Sequence, residues 1–385
     1  MAGRTTRTLI LGAGFGGIAT ALALRRRLDA RHEIVLVDRR DRFFMGLRKL
    51  WVMVGLAELE EGVRPLSALR ERGIDVRRAE VTGIDAASRR AWLDGGAVDA
   101  DYLVIALGAE PRPDLVPGLA DHAFDLYDVD SVKELAHPIA AFNGGRIAIA
   151  IAGLPYKCPP APYEAAFLLD HRFRDAGIRD RVTITFTTLQ PRLLPNAGEE
   201  GAAAIAAEFE RRGIEYHTDR ELLRAEAGRF VFEDGEEPFD IGIAVPPHLP
   251  PAVVRESGLT EGGDWIPVDP GTLETRHPGV YAIGDVVHIP LAGGAALPKA
   301  GLFAEAHGRH VAAAIAAQVE GGPPAPPFGG HGHCYLELGG GEAALIEGAF
   351  YALPKPSVRI VGTGPEYARA KRAFETDRLR EWFGR

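Results

Sequence analysis

Cys158 and Cys334 are the only two cysteines in the sequence, and they stand far apart along it. In a reducing compartment such a pair serves redox or nucleophilic chemistry more often than it staples a fold; two unrelated thiols is the plain alternative. Cys158 lies in YKCPPAPYE, between a strand-like run and a helix-like run. A thiol at a helix N-terminus beside Lys157 is expected to have a lowered pKa and to favour thiolate. Glu164 follows about one and a half helical turns later, either as a carboxylate that handles protons or as a solvated helix residue.

A second group of residues could bind a dinucleotide. Gly12, Gly14 and Gly17 keep G-x-G-x-x-G register after the apolar run Thr8 to Leu11 and before the helical run Ile18 to Leu28. The next strand-like run, EIVLV, ends on Asp38, about twenty residues past the last glycine, the spacing this fingerprint requires. The first glycine permits a tight turn, the second lets pyrophosphate approach the backbone, and the third lets helix and sheet pack closely. Asp38 would accept hydrogen bonds from ribose hydroxyls, whereas Arg39 beside it would suit a 2′-phosphate. The fingerprint alone does not separate NAD from FAD.

These residues need a scaffold, and the remaining sequence supplies its outline. The apolar run Tyr102 to Ala106 closes on Gly108, and a proline-rich linker, Glu110 to Gly118, follows. Strand and helix patterns then alternate again through RIAIAIAG, Tyr163 to Phe173 and RVTITFTT. GVYAI at 279 to 283 leads into Gly284 and Asp285, and a helical segment runs from Leu302 to Val319. A Gly/Pro stretch at 321 to 332 precedes alternating residues around Tyr335 to Glu347, which read as antiparallel strands. The expected fold class is α/β, with two Rossmann-like dinucleotide-binding domains and a small C-terminal α+β domain. The expected units are a discontinuous first domain at 1–109 and 267–320, a second at 110–266 lacking a nucleotide fingerprint, and a third at 321–385.

Composition narrows the partners. A formal net charge of -9 over 385 residues argues against nucleic acid, whose phosphates call for clustered excess cations. No uncharged apolar stretch has the length of a membrane span, and the N-terminus lacks the continuous apolar segment of a signal peptide, so the expected location is cytoplasmic. The basic C-terminal segment, RAKRAFETDRLREWFGR, offers a weak amphipathic stripe of Ala370, Phe374, Trp382 and Phe383. That stripe could touch the inner face of a membrane peripherally, or could pack on the body or on a second subunit in a homodimer. No metal-binding pattern stands out.

Several of these segments together resemble the sulfide:quinone oxidoreductases and the flavoprotein subunits of flavocytochrome c sulfide dehydrogenases, within the pyridine nucleotide-disulfide oxidoreductase superfamily. The resemblance rests on the glycine fingerprint, YKCPPAPYE, VYAIGD ending in Asp285, PKAG at 298 to 301, and HCY at 333 to 335. It implies FAD as cofactor, with Gly284 and Asp285 at its ribityl chain, Gly108 of ALGA closing over the flavin, and Lys299 at the pyrimidine edge. It also implies that Cys158 and Cys334 form a redox pair facing the flavin and that Glu164 handles protons. The segment FFMGLRKLWVMVG lacks the cysteine used for covalent attachment, so the FAD is expected to be non-covalent. The second domain has LPYKCPP where NADH-using members carry another glycine fingerprint. The implied activity is oxidation of a small sulfur donor, with quinone as the foremost acceptor. An NAD(P)H-dependent quinone reductase and an FAD-binding redox sensor stay open.

Overall fold

The computed structural model describes residues 5–384, and it is an α/β protein built on two parallel sheets. In the first sheet the strands run in the order Val280–Ala282, Tyr102–Ile105, Arg7–Leu11, Glu33–Asp38, Asp75–Arg78. All four pairings are parallel. Their central residues are apolar on both faces, as a sheet covered on both sides demands; Leu9, Ile10, Leu11, Val104 and Ala282 are fully buried. The strand order reverses direction between Arg7–Leu11 and Tyr102–Ile105, the place where open α/β sheets leave a crevice for a ligand.

The second sheet orders Phe124–Asp125, Ile241–Val245, Gly145–Ile151, Val182–Thr188 and Glu215–His217, again all parallel. The C-terminal unit is a three-stranded antiparallel sheet, His331–Gly339, Glu342–Ala349 and Ser357–Gly364, followed by the helix Pro365–Phe383. The chain returns to the first core earlier than residue 267. Val254, Leu259 and Ile266 are buried in the same core as the strands of the first sheet.

The final helix does not present the stripe expected of a membrane-facing tail. Its buried residues are Ala368, Lys371, Glu375, Leu379 and Trp382. Trp382 packs edge-on against Phe15 and Phe43 at 5.4 and 5.5 Å, and Phe374 stacks on Phe15. The aromatic residues thus go into the protein body. Among the described residues no helix is long and apolar enough to cross a membrane.

Candidate active site

The glycine turn has the geometry that its residues demand. Gly12 has φ +101°, and a Cβ there would lie 2.3 Å from the carbonyl oxygen of Ala106, so the two strand ends at the switch point meet only because Gly12 lacks a side chain. A Cβ on Gly17 would lie 1.8 Å from the Gly12 carbonyl oxygen, which is the close helix packing expected of the third glycine. Gly14 is different: a Cβ there would meet nothing within 4 Å, so its backbone faces open space at the N-terminus of the helix Phe15–Arg27, where a phosphate is favoured.

Asp38 is buried, and its carboxylate accepts the backbone N–H of Ala13 at 2.7 Å and that of Arg40 at 2.9 Å. It ties the glycine turn to the second strand. Arg39 points elsewhere, toward Glu110 at 2.9 Å, so its guanidinium is already committed to a carboxylate. Gly108 lies beyond the Tyr102–Ile105 strand with φ +71°. Gly284 has φ +74°, and its N–H donates to Nδ1 of His307.

Asp285 lines a cavity of about 220 Å³, and its Oδ1 is buried without a hydrogen-bond partner. Burial raises its pKa, against the pull of Lys157 and Lys299. An orphaned carboxylate oxygen deep in a cavity calls for a donor from a ligand, and the ribityl hydroxyls of a flavin are donors of that kind. The open glycine turn, the cavity and this oxygen together fit an FAD.

Lys299 does not reach that cavity with its amine. Its Nζ donates to the carbonyl oxygens of Asp285 at 2.7 Å and Val287 at 3.0 Å and lies over the Trp265 ring. Burial lowers its pKa to about 7. Its contribution to the site is through the backbone, because the Lys299 carbonyl accepts the N–H of Cys158 at 2.6 Å. Three other lysines line the cavity, Lys49, Lys157 and Lys371, and the Nζ of Lys157 donates to the carbonyl of Ala109.

Cys158 and Cys334 come from different units and line the same cavity, together with Glu164, Tyr127, Lys49, Lys371 and Phe374. Cys158 occupies the turn between the strand Gly145–Ile151 and the helix Ala161–Asp175, at φ +52°. A non-glycine residue there is strained by about 1–2 kcal/mol and persists only where its surroundings fix it. Here the Cys158 carbonyl accepts from Ala161 N at 3.0 Å and from the Tyr127 hydroxyl at 3.1 Å. Both thiols are free.

The expected low pKa of Cys158 is not found. Burial, then the carboxylate of Glu164, push it up to about 11, and Lys371 and Lys49 only partly oppose them. Lys157, the cation expected to lower it, turns its amine to Ala109 instead. Cys334 is raised further by burial and by Cys158. In this environment both sulfurs rest as thiols.

Glu164 is not a solvated helix carboxylate. It is buried, and its Oε1 accepts from Lys371 Nζ at 2.7 Å and from the backbone N–H of Glu337 at 2.7 Å. Lys371 also donates to Glu337 Oε2 at 3.0 Å, and that oxygen accepts Trp51 Nε1–H at 2.6 Å. Burial raises the pKa of Glu164, with Lys371 pulling the other way. For Lys371 burial opposes the charge, but Glu164 and Glu337 outweigh it and hold the amine above its ordinary pKa. Sequence reasoning had located Glu164 but missed Lys371, Glu337, Trp51, Tyr127 and Lys49. Lys49, half-buried and on the Tyr127 carbonyl at 2.7 Å, has its pKa lowered to about 7 by desolvation and by Lys157.

The turn after Gly145–Ile151 also bears on nucleotide binding. A Cβ on Gly153 would lie 2.5 Å from the ring of Pro247, so Pro247 sits directly against the one glycine left at that strand end. Among the described residues no cluster of His, Cys, Asp and Glu is arranged to hold a metal ion.

Comparison with known proteins places this geometry. The sequence model of the family described as pyridine nucleotide-disulphide oxidoreductase matches residues 6–318. A mitochondrial sulfide:quinone oxidoreductase of Mus musculus is 26% identical over 300 residues, which cover 73% of this chain and 66% of the relative. The chain therefore spans just under two thirds of that relative's length. A type II NADH:quinone oxidoreductase of Staphylococcus haemolyticus is 25% identical over 338 residues, 82% of this chain and 83% of the relative. Of solved structures, the sulfide:quinone oxidoreductase of Aquifex aeolicus superposes with a TM-score of 0.89 at 22% identity, covering 98% of this chain and 91% of that one. The NDH2 of Plasmodium falciparum in complex with NADH gives 0.72 at 12% identity, covering 99% of each chain. Glycine turn, parallel sheets and sequence match agree: the chain belongs to the pyridine nucleotide-disulphide oxidoreductase family.

Proposed function

We propose that this protein oxidises hydrosulfide or a closely related small sulfur donor through a Cys158/Cys334 redox pair and passes the electrons, by way of a non-covalent FAD, to a quinone. The observation that carries the reading is that two cysteines from separate units line one cavity together with Asp285 and Phe15 of the cofactor site. FAD, when bound, supplies a two-electron store between donor and acceptor.

The chain's own residues then have definable tasks. Gly14 would receive the pyrophosphate at the turn that Gly12 and Gly17 allow, and Asp285 would orient the ribityl chain. Cys158, held by Lys299 O and Tyr127 OH, presents its sulfur to Cys334. In the disulfide state, hydrosulfide attacks one sulfur and releases the other as a thiolate; Lys49 and Lys371 supply the nearby positive charge that lowers its cost. Glu164, whose carboxyl has a raised pKa and whose Oε1 is held by Lys371 and the Glu337 N–H, takes and returns a proton at its other oxygen during this exchange.

The reading that competes is NADH oxidation, the activity in the name of the staphylococcal relative. The turn after Gly153 speaks against it, because LPYKCPP carries no further glycine where a second fingerprint would let a pyrophosphate approach the backbone. Anaerobic titration of the flavin-loaded protein with sulfide and, separately, with NADH decides: reduction by sulfide and not by NADH is expected. Reduction by NADH alone overturns the proposal.

A further inference from the structure

Cys158 is held in its left-handed turn from both sides by residues distant in sequence. On one side its amide donates to the Lys299 carbonyl at 2.6 Å. On the other its carbonyl accepts from the Tyr127 hydroxyl at 3.1 Å, alongside the Ala161 N–H. At φ +52° a residue with a Cβ is strained, so the conformation persists only while its surroundings hold it.

Each holder is itself anchored. Lys299 immediately precedes Ala300, the N-cap of the helix Gly301–Glu320, and its amine donates to the carbonyls of Asp285 and Val287 and lies 3.4 Å from the centroid of the Trp265 ring. With its pKa lowered to about 7 the amine loses its charge above neutral pH, yet an uncharged amine keeps an N–H for each of the two carbonyls, and the tie survives. Tyr127 is fixed at its backbone, where its N–H donates to Asp125 Oδ1 at 2.7 Å and its carbonyl accepts from Lys49 Nζ. Its ring meets that of His248 edge-on at 4.9 Å.

We infer that Lys299 and Tyr127 are positioning residues for Cys158: by holding its turn strained while the sulfur is a free thiol, they shift the Cys158/Cys334 pair toward its disulfide. The inference rests on the proposed function. Without the two bonds the reduced chain would relax out of φ +52°, whereas the disulfide would still have to bring Cys158 to Cys334. Strain already present in the dithiol is not added on closure, and the orientation of the sulfur is fixed beforehand. The Lys299 amine therefore serves the cysteine pair by way of the Asp285 and Val287 backbone.

The test is a thiol–disulfide titration of the FAD-loaded protein in anaerobic glutathione buffers. Two thiols of the pair and one glutathione disulfide give the Cys158–Cys334 disulfide and two glutathione thiols, so two protons and two electrons pass from the cysteines to glutathione. Both cysteines are trapped by acid and alkylation and read by mass spectrometry, and thermal melts establish that each variant is folded. Lys299→Met and Tyr127→Phe should each move the equilibrium toward the dithiol by about 5- to 30-fold, the factor that one strained left-handed residue is worth. Lys299→Arg, which can still donate to both carbonyls, should stay near the parent. The double variant should shift little further than either single one, because freeing one side lets the turn relax. The flavin potential of Lys299→Met, measured by photoreduction against a reference dye, should match the parent's. Tyr127→Phe loses one oxygen and keeps the ring, so it carries the test by itself if Lys299→Met does not fold. A parental equilibrium in folded Tyr127→Phe overturns the inference and leaves the redox pair standing, as does a Lys299→Met protein whose flavin potential moves while its cysteine equilibrium does not. A parent that forms no Cys158–Cys334 disulfide at any buffer ratio overturns both the inference and the proposed function.

Discussion

Lys371, on the last helix, donates to Glu164 on the helix behind Cys158 at 2.7 Å, and both are buried. The same amine reaches Glu337 on the C-terminal sheet, so one cation joins two carboxylates that would otherwise repel each other in a low-dielectric interior. The last helix carries further ion pairs, from Glu375 to Arg48 at 2.6 Å and from Arg378 to Glu305 at 2.9 Å. It therefore locks the two sheets and the cofactor side together around the cysteines.

Lys371→Met should cost about 3–5 kcal/mol of stability, because it strands Glu164 and Glu337 without their shared cation. Chemical denaturation measures this, and Glu164→Gln in the Lys371→Met background should recover part of the loss. A Lys371→Met protein as stable as the parent would show that the triad does not hold in solution.

Trp382→Ala should cost about 3–5 kcal/mol, as expected for a fully buried tryptophan packed on Phe15 and Phe43. If the tail were instead a membrane anchor, the substitution would leave the melting temperature unchanged and weaken co-sedimentation with anionic liposomes.

Stability should fall on acidification below about pH 6.5. His248 and His307 are buried, Nε2 of each lacks a hydrogen-bond partner, and burial lowers both pKa values to about 3. The unfolded chain therefore binds protons that the folded one refuses, so stability is present above the unfolded pKa and is lost as pH falls from there toward the folded one. Each histidine contributes a slope of about 1.4 kcal/mol per pH unit in that window. His307→Phe should flatten the dependence of the melting temperature on pH between 4 and 6.5 relative to the parent; an equally steep profile would contradict the assignment.

In the reduced protein Cys158 should react slowly with iodoacetamide at neutral pH, with a rate still rising at pH 10, since burial and Glu164 push its pKa up to about 11. A plateau reached near pH 7 would mean that the thiol is activated.

Much of the scaffold is legible from local pattern. The glycine register, the apolar strands and Asp38 specify the first βαβ unit, because each depends on backbone sterics that a few neighbouring residues determine. YKCPPAPYE and HCY marked the cysteines, and the structure brings them to one cavity. What the sequence hides is the pairing of charges. Lys371 and Glu375 sit in a segment rich in both signs, which reads as a basic tail with a weak apolar stripe through Ala370, Phe374, Trp382 and Phe383. The buried face runs through Ala368, Lys371, Glu375, Leu379 and Trp382, and its two charges are tolerable only because Glu164, Glu337 and Arg48 arrive from distant parts of the chain. Likewise the expected thiolate at Cys158 assumed that a neighbour in sequence is a neighbour in space, whereas Lys157 reaches across to Ala109.

The central claim is tested most directly by rapid anaerobic mixing of the FAD-loaded protein with sulfide, for the parent, Cys158→Ser and Cys334→Ser. All three should carry FAD. The parent flavin should bleach with sulfide and stay oxidised with NADH, and each single variant should lose nearly all of the sulfide reaction, with no further loss in the double variant. Either single variant bleaching with sulfide at the parental rate would contradict the claim that the two cysteines act as one redox pair.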